Sequence, residues 1–356
     1  MVQSILVVGS GIIGAATALH LARDGHRVRV ISAGAGPATA TAFGWINASF
    51  YLDIAHHHLR VAGIAAWRRL ASELALDVTW PGCVCWDMPP AELAATYDAL
   101  RGVDYPVEML TRAQVADMEP ALRDAPQTAL FFPEEGAAQS AAIPRQLLAA
   151  AQSFGAQLIE NTPVTGVHMR NGRAAGVETA QGRLLADQVI VAAGTGTTAL
   201  AQTAGVDIHL VPRPAYIVRT TPLRPMLNHI LASPVGEIRQ EASGQLLLPA
   251  ALGHQGDTTT SLTHTPEAAA DDTVARLKGM FHGLDNLRWS QVQRAERPVP
   301  EGGQPIVGAL DNGLYVAVMH SGITLGPLMG QLIAREITHG LDADEAALLA
   351  PYRPRH

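Results

Sequence analysis

The sequence predicts an α/β protein in which a parallel sheet with its helices is interleaved with a second domain built on a mixed antiparallel sheet. Two runs, Ile5 to Val8 and Gln188 to Ala192, are continuously apolar and rich in β-branched residues, as strands buried on both faces are. Each run leads through glycines into a helix-like stretch. Residues 213–260 instead alternate apolar and polar residues between turn signals, which is typical of antiparallel strands. The length of 356 residues accommodates two such domains.

The first strand leads into the most specific local motif of the chain, a GxGxxG turn. Gly9 permits the sharp turn, Gly11 lets the backbone approach a pyrophosphate, and Gly14 allows the helix to pack closely on the strand. The helix begins with Ile12 and Ile13, and its unpaired N–H groups would face the phosphates. Because the motif lies between a strand and a helix, it predicts a dinucleotide-binding site.

The end of the second strand departs from the usual dinucleotide pattern. An acidic residue normally holds the ribose hydroxyls about 20 positions after the glycines, and here that position is Ser32. A hydroxyl can still bond a ribose, although more weakly. Small residues, Ala33 and Gly34, follow in place of an arginine that would take a 2′-phosphate, which disfavours NADP.

A second glycine-rich return to the parallel sheet follows a predicted β-meander. The stretch from 161 to 185 reads as short strands joined by turns at Asn171-Gly172 and Gln181-Gly182. The strand from Gln188 to Ala192 then runs into Gly194 and Gly196 ahead of another helix-like stretch. A pyridine-nucleotide dehydrogenase would be expected to lack this second motif.

Taken together, these motifs resemble those of the FAD-dependent D-amino-acid oxidase, glycine oxidase and sarcosine oxidase superfamily, and most strongly those of the glycine-oxidase-like branch. The resemblance covers nearly the full length. It rests on "VVGSGIIGAATALHLARDGHRVRVI", "NTPVTGV", "VIVAAGTGTTAL" and "ERPVPEGGQPIVGAL…GLYVAVMHSGITLGP". In the family the last stretch combines an arginine-proline loop, a Pro-x-x-Gly turn, a strand and a His-Ser-Gly-like turn, and the spacing from Arg297 to Gly308 matches.

The resemblance implies a Rossmann-like FAD-binding domain interleaved with a mixed antiparallel-sheet substrate-binding domain. We expect the FAD-binding domain to comprise residues 1–80, 135–210 and 295–356, and the substrate-binding domain residues 81–134 and 211–294. The FAD would be non-covalent, because "QVQRAERP" lacks the cysteine to which the sarcosine oxidase branch attaches its flavin. A lysine after the His-Ser-Gly turn is also missing, which leaves oxidase and dehydrogenase equally open.

The resemblance also assigns cofactor contacts outside the first turn. In the family the loop after the second strand, Thr39 to Phe50 here, packs near the flavin, although its aromatic residues suit a plain core equally well. The predicted contacts are Ser32 at the ribose, Thr41, Gly44 and Asn47 in this loop, Val164 before the meander, Ala193 and Gly194 at the second motif, and Gly322, Ile323 and Thr324 at the start of the last long helix. The N-terminus of that helix would face the flavin pyrimidine.

Arg297 is the predicted substrate anchor, because the corresponding arginine of the family grips the substrate carboxylate over the flavin. A guanidinium binds a carboxylate bidentately and keeps its charge. Pro298 and Pro300 stiffen the loop that carries it. The alternative is a structural arginine paired with Glu296 or Glu301.

The implied reaction is hydride transfer from the α-carbon of an amino acid or N-substituted amino acid to flavin N5, which gives an imine that hydrolyses in water. Glycine derivatives, D-amino acids and cyclic imino acids all fit. Further predicted catalytic residues are Tyr216, His320 and Glu237, the last standing where glycine oxidases present a tyrosine. A carboxylate there favours a cationic or basic group on the substrate, and its alternative is a solvated strand residue paired with Arg239.

Other functional classes find little support. A formal net charge of −7 without a basic run argues against nucleic acid as a partner. The sequence shows neither a signal peptide nor an apolar run long enough to span a membrane, so we expect a cytoplasmic protein; its oligomeric state is not readable. No metal is expected, since His56-His57-His58 begins a helical stretch, and Cys83 and Cys85 read as buried strand residues.

Two alternatives remain at this point. An NAD-dependent dehydrogenase would share the GxGxxG turn. A flavin-bound protein without redox turnover would also share it, although Arg297 argues against that reading.

Overall fold

The computed structural model describes residues 1–34, 37–252 and 258–354. Its helices are α1 (Ile12–Arg23), α2 (Pro37–Ala40), α3 (Ile54–Leu74), α4 (Pro90–Gly102), α5 (Arg112–Met118), α6 (Ile143–Ser153), α7 (Thr197–Thr203), α8 (Pro266–Met280), α9 (Gly322–Thr338) and α10 (Ala343–Leu349). Its strands are β1 (Ser4–Val8), β2 (Arg27–Ile31), β3 (Trp45–Ile46), β4 (Val78–Thr79), β5 (Cys83–Cys85), β6 (Glu108–Thr111), β7 (Thr128–Phe132), β8 (Gly136–Ala138), β9 (Gln157–Ile159), β10 (Val164–Arg170), β11 (Arg173–Thr179), β12 (Gly182–Leu185), β13 (Gln188–Val191), β14 (Leu210–Val211), β15 (Pro214–Thr220), β16 (Ile230–Ser233), β17 (Gly236–Gln240), β18 (Leu246–Pro249), β19 (Trp289–Glu296), β20 (Val299–Pro300), β21 (Ile306–Ala309) and β22 (Leu314–Val318).

A six-stranded sheet with the order β21-β22-β13-β1-β2-β9 forms the first large layer. β1 pairs in parallel with β2 and β13, and β22 continues the parallel arrangement on the far side of β13. Helices α1 and α9 pack against each other, and Gly330 of α9 is so close to α1 that a Cβ would lie 2.5 Å from the Ala16 carbonyl carbon. The sheet therefore joins strands from both ends of the chain.

The predicted strand-turn-helix unit is present at the start of this sheet. β1 is buried from Ile5 to Val8, because Ile5 and Val7 share a core with α1 and α9, whereas Leu6 and Val8 share a second core with β10 and β11 on the other face. α1 ends where Gly25 adopts a φ of +83°, a left-handed conformation that costs glycine little. The next strand, β2, follows at once.

The predicted meander is also present. β10, β11 and β12 form a three-stranded antiparallel sheet. Asn171 and Gly172 join β10 to β11 with φ values of +51° and +75°, as a two-residue hairpin turn of the primed type requires. The meander leads through Asp187 back to β13 in the parallel sheet.

An eight-stranded sheet with the order β19-β15-β18-β17-β16-β5-β7-β6 forms the second large layer. Most of its pairs are antiparallel, as expected for the stretch 213–260, but β16 runs parallel to β5, which makes the sheet mixed. The part of that stretch at 253–257 lies outside the described residues. The two-layer α/β fold is thus confirmed, whereas the domain bounds stay a prediction.

Some local expectations need correction and others hold. The Pro-x-x-Gly segment that ends at Gly308 forms strand β21 and not a turn, because it pairs antiparallel with β22. The loop from Thr39 to Phe50 contains the end of α2 and the short strand β3. Cys83 and Cys85 are buried in β5 with free thiols, as predicted. Within the described ranges we find no helix with the length and apolar character needed to cross a bilayer.

Candidate active site

A cavity of about 650 Å³ lies where the carboxyl ends of β1, β2, β13 and β22 meet, and it extends to the inner face of the eight-stranded sheet. Val8, Ile31 and Val318 line it at the strand ends, and Ala215, Ile217 and Glu237 line it from the second sheet. The crevice beyond the carboxyl ends of parallel strands is where nucleotides bind in open α/β sheets.

The GxGxxG turn forms one end of the cavity. A Cβ at Gly9 would lie 2.3 Å from the Ala192 oxygen, and one at Gly14 would lie 2.0 Å from the Gly9 oxygen, so neither position accepts a side chain. Gly11 is the N-cap of α1 and offers no side-chain cap, while the amide of Ile12 donates to Thr39 Oγ1 at 3.3 Å. The helix therefore presents its N-terminal amides to the cavity, where phosphates would bind.

Ser32 lines the cavity at the end of β2, but its hydroxyl has local partners. It accepts from the amide of Gly34 at 3.1 Å, donates to the Gly34 oxygen at 2.7 Å, and lies 2.6 Å from Ser10 Oγ. One proton and two lone pairs can satisfy these three contacts. A ribose hydroxyl would have to replace one of them, and the role of Ser32 at the ribose stays a prediction.

The remaining predicted cofactor residues converge on the same cavity. Val164, Ala193 and Gly194 line it. Gly194 has a φ of +56°, and no atom lies within 4 Å of the place where its Cβ would be. Thr41, Gly44 and Asn47 of the loop before α3 line it as well, together with Phe43 and Trp45, which the sequence left open between contact and core. Ile46 is fully buried away from it.

The loop that carries Asn47 is held by a buried carboxylate that the sequence did not single out. Glu135, with no exposed surface, accepts hydrogen bonds from Trp45 Nε1 at 2.8 Å, from the amides of Ala48 and Ser49, and from the Tyr105 hydroxyl at 3.1 Å. Burial raises the pKa of Glu135 to about 6, although these donors oppose the rise. Glu135 thus fixes the loop without touching the cavity.

The N-terminus of α9 closes the other end. Gly322, Ile323 and Thr324 line the cavity, and the oxygen of Ile323 accepts from Trp67 Nε1 at 2.7 Å. Thr324 Oγ1 accepts from the Asn47 amide at 3.2 Å. Because these contacts tie α9 to α3 and to the loop, the helix N-terminus is fixed where its positive dipole end faces the cavity.

Arg297 lies between β19 and β20 and lines the cavity. Its Nε donates to the Arg213 oxygen at 3.1 Å, which fixes the plane of the guanidinium. Of the alternative partners, Glu296 accepts from the amide of Arg213 at 3.1 Å and from Arg294 at 3.3 Å, and Glu301 is exposed. The position agrees with the predicted anchor, which stays a prediction.

His320 lines the cavity just before α9 and carries no charge near neutral pH. Burial lowers its pKa to about 4, and the nearby guanidinium groups of Arg297, Arg60 and Arg213 lower it further in that order. The positive potential in this part of the cavity therefore comes from the arginines, since the imidazole of His320 is neutral.

Of the two predicted residues Glu237 and Tyr216, only Glu237 lines the cavity. Glu237 on β17 lines the cavity and is 3% exposed, so the solvated alternative is wrong; Arg239 forms an ion pair with Glu241 at 3.1 Å. Tyr216 is not among the described residues that line the cavity, and its hydroxyl donates to the His264 oxygen at 3.3 Å. Alternation along β15 turns Ala215 and Ile217 inward and Tyr216 outward, so the expected contact with Tyr216 is not formed.

Arg60 is a charged residue of the cavity lining that was not predicted from the sequence. It lies on α3 directly after the three histidines, is 5% exposed, and lines the cavity beside Asn47 and Ser321. None of the three histidines lines the cavity, and in the described part of the chain no cluster of three or more metal-binding side chains occurs. An arginine within an apolar helical stretch gave no motif that could have identified it.

A model of the family described as DAO, FAD dependent oxidoreductase, matches residues 4–336. The chain belongs to this family of FAD-dependent oxidoreductases. Its relatives in the family include a glycine oxidase of Geobacillus kaustophilus, 27% identical over 93% of this chain and 91% of that protein. A D-amino acid dehydrogenase of Rhodopseudomonas palustris is 23% identical over 86% of each chain. The crystal structure of the Geobacillus glycine oxidase superimposes with a TM-score of 0.88 over 99% of both chains.

The cavity fits the cofactor of the DAO family. The crowded glycines, the uncapped N-terminus of α1 and the open backbone at Gly194 provide the close approach and the donors that a dinucleotide needs. The predicted family, fold and FAD cofactor are therefore confirmed, and the alternative of an NAD-dependent dehydrogenase is not supported. The individual site residues stay predictions.

Proposed function

We propose that this DAO-family protein oxidises the C–N bond of an amino acid or an N-substituted amino acid. The observation that carries the proposal is that Arg297, directly after β19, and Glu237, on β17, line the same cavity as the fixed N-terminus of α9. A guanidinium and a carboxylate at one site suit a substrate that bears a carboxylate beside an amine.

In this proposal, bound FAD supplies the hydride-accepting chemistry, and the chain positions the substrate. Arg297 binds the substrate carboxylate, and its contact with the Arg213 oxygen keeps the guanidinium oriented. Glu237 accepts a hydrogen bond from the substrate amine. Ala215, Ile217 and Met319 provide apolar walls that exclude water from the reacting carbon.

The charged residues of the cavity act in opposite directions on a substrate amine. The carboxylate of Glu237 favours the ammonium form. The positive potential of Arg297, Arg60 and Arg213, which together with burial lowers the pKa of His320, favours the neutral amine that hydride loss requires. The imine product hydrolyses after it returns to water.

The same considerations support the predicted division of the chain. We propose that residues 1–80, 135–210 and 295–356 bind FAD, and that residues 81–134 and 211–294 shape the substrate side. The six-stranded and eight-stranded sheets draw their strands from these two sets of segments, apart from the end of β19. The proposed ligand of residues 81–134 and 211–294 is a small amine that bears a carboxylate.

The first experiment is an absorbance spectrum of the purified protein, followed by anaerobic titration with glycine, N-substituted glycines, D-amino acids and cyclic imino acids. Bleaching of the flavin band by one class identifies the substrate class. Reoxidation by air then separates an oxidase from a dehydrogenase. A yellow protein that none of these classes bleaches would contradict the proposal and favour a flavin-bound protein without redox turnover.

A further inference from the structure

Arg60 is a buried charge whose partners are neutral. Its Nε donates to the Asn47 oxygen at 3.0 Å, one terminal nitrogen donates to Asn47 Oδ1, and the other donates to Ser321 Oγ. Within residues 1–34, 37–252 and 258–354, no carboxylate lies within 4 Å of its guanidinium. Burial lowers the pKa of Arg60 to about 10, so the group stays charged at neutral pH.

The carboxylate of Glu135 acts on Arg60 through space and favours its charged form, but it makes no contact with the guanidinium, so Arg60 is not held in a closed ion pair. A guanidinium has five N–H donors, and the three contacts above use three of them. Arg60 also lines the cavity, so a bound group can reach the rest. The remaining donors therefore make Arg60 available to a cavity ligand that carries or develops negative charge.

The surroundings of Arg60 indicate which ligand this is. Asn47 belongs to the loop that lines the cofactor side, and Ser321 is the N-cap of α9. The guanidinium and the helix N-terminus thus add their positive potentials at one place. Arg297, by contrast, follows β19 in the sheet that carries Glu237. The two arginines enter the cavity from different layers, which favours different partners.

We propose that Arg60 is the electrostatic partner of the flavin ring of bound FAD and raises its reduction potential. Negative charge accumulates on the ring when it is reduced, and a fixed guanidinium stabilises the reduced form more than the oxidised form. Asn47 and Ser321 hold the guanidinium in place for this role. The inference depends on FAD binding but not on the proposed substrate.

The test compares Arg60→Gln, Arg60→Lys and the control Arg68→Gln, each loaded with FAD. Arg68 is on the same helix, but its side chain is 42% exposed and paired with Glu134. The readouts are the midpoint potential of the bound FAD, the dissociation constant of FAD, and that of acetate as a carboxylate that cannot be oxidised. None of them requires turnover, so a failed substrate assignment does not affect the result.

We expect Arg60→Gln to lower the equilibrium constant for two-electron reduction of the bound FAD at least tenfold, which is a fall of about 30 mV in the midpoint potential. The affinity for acetate should be nearly unchanged. Arg60→Lys keeps the charge and should retain most of the potential, and Arg68→Gln should match the wild type. An unchanged potential in Arg60→Gln would overturn the inference. So would a large loss of acetate affinity alone, which would assign Arg60 to the substrate carboxylate. Loss of FAD binding in both Arg60 variants would also overturn it, since Arg60 would then hold the cofactor.

Discussion

Replacement of Arg297 by alanine tests the carboxylate anchor most directly. The guanidinium lines the cavity, and its Nε bond to the Arg213 oxygen at 3.1 Å orients it before substrate arrives. Removing one partner of a partly buried, charge-assisted contact costs about 3 kcal/mol. That loss corresponds to a fall in kcat/KM on the order of 100-fold. Because the contact also exists in the ground state, KM should account for much of it.

The assay measures kcat/KM of wild-type and variant enzyme on the substrate identified by anaerobic bleaching and on its amide, which lacks the carboxylate charge. Arg297→Ala should lose most of its preference for the acid over the amide, while the flavin spectrum is retained. Arg297→Lys keeps the positive charge but cannot form the bidentate contact, so its preference for the acid should lie between those of the wild type and Arg297→Ala. Arg294→Ala is the matched control, because that side chain is 66% exposed and lies three residues away on β19.

A wild-type preference for the acid over the amide in Arg297→Ala would refute the anchor role of Arg297. An equal loss in Arg294→Ala would also refute it, because the effect would then come from positive charge near the cavity and not from a contact.

Three further predictions concern packing and protonation. Gly14→Ala should abolish FAD binding, because its Cβ would lie 2.0 Å from a backbone oxygen, whereas Gly102→Ala in α4 meets nothing within 4 Å and should bind normally; flavin absorbance after gel filtration distinguishes them. The pKa of Glu135 is raised to about 6 from 4.5, so its contribution to the free energy of unfolding is complete below pH 4.5 and falls by about 2 kcal/mol as pH rises through 6. Denaturant unfolding of wild type and Glu135→Gln should show the difference between them shrinking over that range, and a constant difference would contradict the assignment. The pKa of His320 is lowered to about 4, so the pH profile of kcat/KM above pH 5 should contain no step that belongs to His320. A step near pH 6 that is present in the wild type and absent in His320→Gln would contradict this.

The sequence predicted those features that depend on neighbouring residues. The GxGxxG turn, the end of α1 at Gly25 and the hairpin at Asn171-Gly172 each require a backbone conformation or a close approach that few residues permit, so local sequence reveals them. The resemblance to the family supplied the positions of Arg297 and of the start of α9.

Features that depend on tertiary contacts were missed or misplaced. Arg60 looked like one charge in an apolar helix, and its role depends on where Asn47 and Ser321 meet α3. Tyr216 was named as a site residue, but the face that each residue of a strand presents is set by the register of β15 against its neighbours. Glu135 has no motif, since its donors come from a loop about 90 residues earlier and from Tyr105.

The cavity is assembled from chain segments that are far apart, from the turn after β1 to the start of α9. FAD therefore contacts parts of the protein that are far apart in the sequence, and its binding free energy stabilises both layers. At a free FAD concentration 100 times the dissociation constant, this adds about 2.7 kcal/mol to the stability of the folded chain. The chain loaded with FAD should therefore unfold at a higher denaturant concentration than the chain without it.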